Sequence, residues 1–210
     1  TGGNVSFYNQ STIDGKTVPV LPTPTIGMIG IVNDKSKITP LGFTDEGLNL
    51  FLVGDHCDDF CSSQYLIHWQ KQEYSPSPRF DLQEEYSMQK NLKTFIESGL
   101  INCAHDISDG GLFVCLAEMA FPKNLGFEVK IDSSGRLDGL LFGEGQSRVV
   151  VGIETKNRGF FLAQANELGQ RVHEIGKVSG TIASVNKASF GSIDSLKSIH
   201  SNALRNLMQN

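Results

Sequence analysis

Short β-branched or apolar runs alternate along this chain with longer segments whose apolar positions recur every three to four residues, which is how strands interleaved with helices read. Residues 25–32 are apolar, with Gly27 and Gly30 interrupting, and predict a buried strand that another backbone approaches closely. Residues 48–53 predict a second strand, and residues 62–69 a short helix. Ser75-Pro76-Ser77-Pro78 breaks the chain before a long helix over 81–98, with Leu82, Tyr86, Leu92, Phe95 and Ile96 as its apolar face and Gly99 as its cap. A strand at 101–104 leads through a loop at 105–109 into a helix at 110–120 that is apolar almost all round and therefore buried. A strand at 127–131, a short helix at 137–142, a valine-rich strand at 148–153 and a helix at 157–168 closed by Gly169 follow. Residues 172–178, a strand or two, and a final helix near 195–208 complete the pattern. Such alternation indicates a layered α/β or α+β domain.

At 210 residues the chain suits one full domain plus an appendage. Eighteen basic against twenty-three acidic residues give a net charge of −5 without a Lys/Arg cluster, which argues against a nucleic-acid partner and a membrane surface. No apolar run approaches the roughly 20 residues a membrane span needs, and no signal peptide is evident. Cys57, Cys61, Cys103 and Cys115 form neither a CxxC pair nor zinc-finger spacing, so reduced thiols in a cytoplasm are expected. Small molecules or other proteins are the expected partners.

Three segments carry candidate chemistry. In Gly3-Asn4-Val5-Ser6 a glycine lets a backbone N–H approach a phosphate, an asparagine oxygen suits Mg²⁺, and a serine hydroxyl can hold a polar substrate group; the same run also reads as an ordinary turn. His105-Asp106-Ile107-Ser108-Asp109-Gly110-Gly111 lies where a strand gives way to a buried helix. Its free N–H groups can take an anion, with the carboxylates holding a metal beside it. Alternatively Ser108 or Asp109 caps the helix, Gly110 and Gly111 permit packing, and His105 satisfies a backbone partner. The loop Gly143-Glu144-Gly145-Gln146-Ser147-Arg148 can present Glu144, Gln146 and Arg148 to a ribose or phosphate, or can be a surface turn. Asp55-His56-Cys57-Asp58-Asp59 reads as a solvated loop, because four adjacent ligand types cannot all face one ion.

Taken in order, Gly3-Asn4-Val5-Ser6-Phe7-Tyr8-Asn9, His105-Asp106-Ile107-Ser108-Asp109-Gly110-Gly111-Leu112 and Leu141-Phe142-Gly143-Glu144 with Gln146-Ser147-Arg148 resemble the carboxy-terminal part of the phosphoribosylformylglycinamidine synthase family. The match runs from about residue 2 to about residue 180. The resemblance implies a piece of a larger polypeptide built from two tandem copies of an ATP-binding domain and a companion domain, as in aminoimidazole ribonucleotide synthase. Residues 1–23 are expected to be the tail of the second ATP-type domain plus a linker. Residues 24–210 are expected to be a companion domain of the α+β class, three α/β/α layers around a mixed sheet.

By the family's pattern Gly3 contacts ATP, Asn4 ligates Mg²⁺ and Ser6 touches substrate. The family's enzyme uses ATP to phosphorylate the amide oxygen of formylglycinamide ribonucleotide, and ammonia from glutamine displaces the phosphate. Its catalytic histidine belongs to an earlier domain, so this portion is expected to be inactive alone. With no glutaminase-like segment before Asn210, ammonia is expected from a separate glutaminase subunit with a small bridging subunit. A non-catalytic scaffold supporting a pseudo-symmetric nucleotide site is the rival reading. Two departures from the pattern stand out: Cys61-Ser62-Ser63-Gln64-Tyr65 replaces Gly-Gly-Ser-Glu-Tyr, and Gly145 replaces a more common serine.

Overall fold

A computed structural model describes residues 9–20, 26–131 and 135–209. The chain divides into two compact units, residues 1–33 and 34–210. In the first, β1 (Gln10–Ile13) and β2 (Lys16–Pro19) pair antiparallel around Asp14 and Gly15, both with positive φ. Those dihedrals match the tight hairpin turn that an Asp-Gly pair favours. The strand predicted at 25–32 does not form over its described residues: 26–32 are irregular, with Ile26, Met28, Ile29 and Ile31 at least 84% exposed. Apolar β-prone residues become a strand only beside a strand that accepts their hydrogen bonds, and among the described residues none pairs with them.

The second unit is a seven-stranded sheet between two helical layers. Its strands are β3 (Asn49–Val53), β4 (Cys103–Asp106), β5 (Phe127–Val129), β6 (Val149–Ile153), β7 (Val172–Val178), β8 (Ile182–Val185) and β9 (Ala188–Ser192), in spatial order β4-β6-β3-β7-β5-β8-β9. Only β5 and β8 pair in parallel, so the sheet is mixed. The helices are α1 (Leu82–Glu97), α2 (Gly111–Ala120), α3 (Leu137–Phe142), α4 (Arg158–Glu167) and α5 (Ile193–Met208). This is the expected three-layer arrangement of the α+β class.

Period-two alternation explains how fully buried strands serve two cores. Leu50 and Leu52 of β3 and Val150 of β6 face a core shared with α2, α3 and α5, where Leu112, Leu116, Leu141 and Ile193 pack. Phe51, Val53, Val149, Val151 and Ile153 face the opposite core, against Met88 and Phe95 of α1 and Phe161 and Ala165 of α4. Three phenylalanines lock that layer edge to face, Phe161 lying 5.1 Å from Phe51 and 4.9 Å from Phe95.

Helix α1 begins at Asp81, whose carboxylate accepts from the N–H groups of Gln83 and Glu84, and Gly99 ends it with φ +72°. The strand predicted at 101–104 instead runs Cys103–Asp106. Its bounds are set by pairing with β6, Cys103 opposite Gly152 and Asp106 opposite Val149, and not by its own composition. His105 and Asp106 are therefore strand residues, and the loop before α2 is shorter than the sequence suggests.

Candidate functional site

Antiparallel register gathers three loops at one end of the sheet. Asp106 at the end of β4 and Val53 at the end of β3 both lie opposite Val149 at the start of β6. The turn leaving β4, the loop entering β6 and the segment leaving β3 consequently converge, and α1 passes beside them. Together they enclose a cavity of about 470 Å³ lined by Asp106, Ser108 and Asp109 from the first loop, and by Glu144, Gln146 and Arg148 from the second. Cys61, Ser62, Pro78, Phe80 and Glu85 complete much of the wall.

The start of α2 decides how its N-terminus is used. The cap is Gly110, in the left-handed region at φ +85°, and not Ser108 or Asp109. The N–H of Gly111 donates to Ser108 O at 3.0 Å, and the N–H of Gly110 donates to Glu144 Oε1 at 2.8 Å. The same Glu144 oxygen accepts from the N–H of Gln64, also at 2.8 Å. A carboxylate from the neighbouring loop thus already stands at the positive end of α2, where a free anion is otherwise welcome. Gly111, at φ +74°, also serves packing: a Cβ there would lie 2.8 Å from Leu141 O and from Phe142 Cα of α3.

Arg148 is only 4% exposed. Its Nε and Nη2 donate to the carbonyls of Gly145 and Gly143, each at 2.7 Å, so the guanidinium shapes the loop that carries Glu144 and Gln146. Burial pulls its pKa below the ordinary arginine value. Ser147, at φ +61°, donates to Glu85 Oε2 at 2.6 Å and ties the loop to α1. Gln146 is exposed.

Glycine at position 145 has a local cause. A Cβ there would overlap Cys57 Sγ, so the thiol fills the space a serine side chain needs. Cys57, Ser62, Gln64 and Glu85 escape a reading by residue type; Ser62 and Gln64 leave a trace as departures from the Gly-Gly-Ser-Glu-Tyr pattern, and Ser62 has φ +56°. His105 meets carboxylates, not a backbone partner: Nε2 lies 3.1 Å from Glu118 Oε2 and Nδ1 lies 3.3 Å from Asp106 Oδ1. In the segment after β3, Asp59 accepts from the N–H groups of Cys61 and Arg79, and Asp55 pairs with Arg171 at 2.6 Å. The Cys61 hydrogen bond holds the Asp59 carboxyl below its usual pKa. All four cysteines are free thiols. Gly3, Asn4 and Ser6 lie outside the described residues.

Four carboxylates, Glu85, Asp106, Asp109 and Glu144, line the cavity with one buried guanidinium. That balance favours a cation, or a phosphate accompanied by one, over a bare anion. Among the described residues no three His, Cys, Asp or Glu side chains converge on a common ion, so a cation here would need oxygens from its ligand or from water. No described helix is long and apolar enough to cross a membrane.

Residues 45–185 match the family described as AIR synthase related protein, C-terminal domain. The chain belongs to this family. Among curated relatives of this AIR synthase related chain, the phosphoribosylformylglycinamidine synthase subunit PurL of Moorella thermoacetica is 38% identical over 180 residues, 86% of this chain and 24% of that protein. The corresponding subunit of Synechocystis sp. is 37% identical over 203 residues, 92% of this chain and 26% of the relative. The chain thus spans about a quarter of the length of the curated relatives it matches. The likeness to the synthetase subunit read from three motifs therefore extends over most of the chain.

Among solved structures, T. maritima PurL complexed with ATP superposes with a TM-score of 0.61, covering 78% of this chain and 28% of that one at 16% identity. Thiamine-monophosphate kinase from Stenotrophomonas maltophilia superposes at 0.52, covering 74% and 55% at 19% identity. At such identities the superpositions establish the shared fold of AIR synthase related domains.

Proposed function

We propose that this chain is the carboxy-terminal part of an ATP-dependent ligase that converts formylglycinamide ribonucleotide to formylglycinamidine ribonucleotide in purine biosynthesis. The observation that carries this reading is the 38% identity over 180 residues to a phosphoribosylformylglycinamidine synthase subunit. Residues 1–23 then belong to a preceding ATP-binding domain and residues 24–210 to its companion. Gly3 contacts ATP, Asn4 ligates Mg²⁺ and Ser6 touches substrate. Magnesium would supply charge neutralisation as phosphate transfers to the amide oxygen. Ammonia comes from a glutaminase subunit joined through a small bridging subunit; a T. maritima neighbour described as PurLQS, similar at TM-score 0.57 and 16% identity, is consistent with such an assembly. A cytoplasmic setting follows from that role.

This portion alone should show no amidine-forming activity, since the catalytic histidine lies upstream. In the complete polypeptide Asn4→Ala should lower ATP-dependent turnover by about 10²-fold, the scale for losing one preorganised stabiliser. Steady-state assays with and without the substitution test both statements. Turnover by the isolated chain removes the premise that the catalytic histidine lies upstream, and wild-type kinetics in the mutant leaves residues 2–9 a turn and nothing more.

One observation favours a supporting role for the cavity end of the domain. Glu144 already occupies the N-terminus of α2, so the loop around Gly110 holds its own anion, and the same carboxylate braces the π-helical turn at Tyr65–Trp69 through Gln64. In this second reading the companion domain is a non-catalytic scaffold for a pseudo-symmetric nucleotide site, and the cavity holds Mg²⁺-nucleotide without turning it over. Titration of ADP with Mg²⁺ against the chain, followed by melting temperature, tests it, because a ligand that binds only the folded state must raise that temperature.

A further inference from the structure

The segment between the π-helical turn and α1, residues 70–81, has no regular secondary structure and is exposed along most of its length. It nevertheless supplies Pro78 and Phe80 to the cavity wall, beside Cys61 and Ser62. Its own apolar groups do not anchor it, Tyr74 being 87% and Phe80 52% exposed. What holds it is a small set of hydrogen bonds. Ser62 N–H donates to Ser75 Oγ at 2.6 Å and Ser62 Oγ donates to Pro76 O at 3.1 Å. Gln72 N–H donates to Leu66 O at 3.1 Å, and Arg79 N–H to Asp59 Oδ2 at 3.3 Å. A segment tied by exposed hydrogen bonds with little buried apolar area sits at the low end of local stability.

Ser62 is the unusual member. Its φ of +56° is a left-handed backbone that burdens a residue with a Cβ, and glycine adopts it freely. The serine uses both of its donors on the strap. Lys71, at φ +58°, lies at the other end of the strap and is a position where the chain direction can change.

We propose that residues 70–81 form a lid over the cavity, latched at Ser62, and that opening the lid admits a phosphate-bearing ligand. The ligand rests on the reading of the cavity as a nucleotide site; the lid does not. In the closed form Ser75 Oγ occupies the N–H of Ser62, itself a cavity-lining residue, and lifting the strap frees that donor for a ligand oxygen. Hydroxyl and ligand therefore compete for one donor.

Single-residue amide hydrogen exchange on the 210-residue chain tests the lid. Ser75→Ala should speed exchange at Ser62, Gln72 and Arg79 together, by about five-fold for the loss of a latch bond. Ser77→Ala and the amides of β6 should show no change. Arg79 bonds to Asp59, not to the latch, so its response is what a strap lifting as one piece requires. Faster exchange at Ser62 alone overturns the proposal. Calorimetry with ADP and Mg²⁺ supplies the second arm: Ser75→Ala should tighten binding about five-fold, the factor equivalent to one hydrogen bond of about 1 kcal/mol. Equal affinity in the two proteins overturns the competition. If neither binds ADP, the nucleotide reading of the cavity fails, while the exchange data still decide the lid.

Discussion

Replacing Gly145 by serine tests how the cavity loop is built. The backbone at Gly145 is not left-handed, so the substitution carries no dihedral strain and, by restricting the unfolded chain, gains about 0.4–1 kcal/mol. The new Cβ, however, would overlap Cys57 Sγ, lie 3.2 Å from Cys57 Cβ and stand 3.8 Å from Arg148 Nη2. Inserting atoms into a packed site of this kind costs about 1–3 kcal/mol. The net expectation is a loss of about 1–2 kcal/mol, which for a domain of this size lowers the melting temperature by roughly 2–8 °C. Circular-dichroism melts of the wild type, Gly145→Ser, Cys57→Ala and the double mutant form a cycle. Removing the sulfur leaves only the Cys57 Cβ contact, which a few tenths of an ångström relieve, so the double mutant should regain most of the loss. A Gly145→Ser protein within about 0.5 kcal/mol of wild type, or one that Cys57→Ala does not rescue, would refute the claim that the thiol fixes the glycine.

Glu144→Ala should cost about 2–4 kcal/mol in urea unfolding, because two charge-assisted hydrogen bonds to Gly110 and Gln64 disappear, whereas Glu144→Gln keeps an acceptor and should lose less than half as much; equal stability of all three proteins contradicts the bracing role. Gly111→Ala should destabilise by about 3 kcal/mol or more, since its Cβ meets rigid backbone of α3, and Gly110→Ala by less, since its Cβ meets the Val114 side chain; the reverse order in denaturant melts is the failing result. Burial pushes the Cys103 thiol from 9.0 to about 11. Because the folded state holds this proton more tightly, its contribution is full below pH 9 and is lost as pH rises through about 11, a fall of about 2–3 kcal/mol. Burial raises the Cys115 thiol as well, so urea unfolding at pH 8 and 11 should show a fall at least that large, and Cys103→Ala should reduce it by about 2–3 kcal/mol; an unchanged slope in the mutant rules the Cys103 thiol out as a source.

Much of the fold was legible because helix periodicity and caps are local. Asp81 and Gly99 bounded α1 to within a residue, the continuous apolar surface of residues 110–120 marked α2 as buried, and residues 137–142 coincide with α3. Strand bounds were less legible, because a strand ends where its neighbour stops pairing. Residues 101 and 102 have strand-like neighbours in sequence, but the ladder with β6 begins at Cys103. Residues 26–32 are β-prone, but a strand is a relation between two segments and among the described residues no second one is present.

For the site, residue types alone marked the loops at 105–111 and 143–148 as chemically rich, and the order of three motifs placed the chain beside the phosphoribosylformylglycinamidine synthases. What those loops do to one another came only from tertiary structure. Glu144, equally suited to a ligand or to solvent, turned out to accept from Gly110 and Gln64, 34 and 80 residues away in the chain. Gly145 looked like a departure until Cys57 was found in the space of its missing side chain. Side-chain periodicity reports which face of an element is apolar, a property of residues a few positions apart. Which carboxylate meets which amide depends on the β4-β6-β3 register, a property of segments some fifty to a hundred residues apart that the chain acquires only on folding.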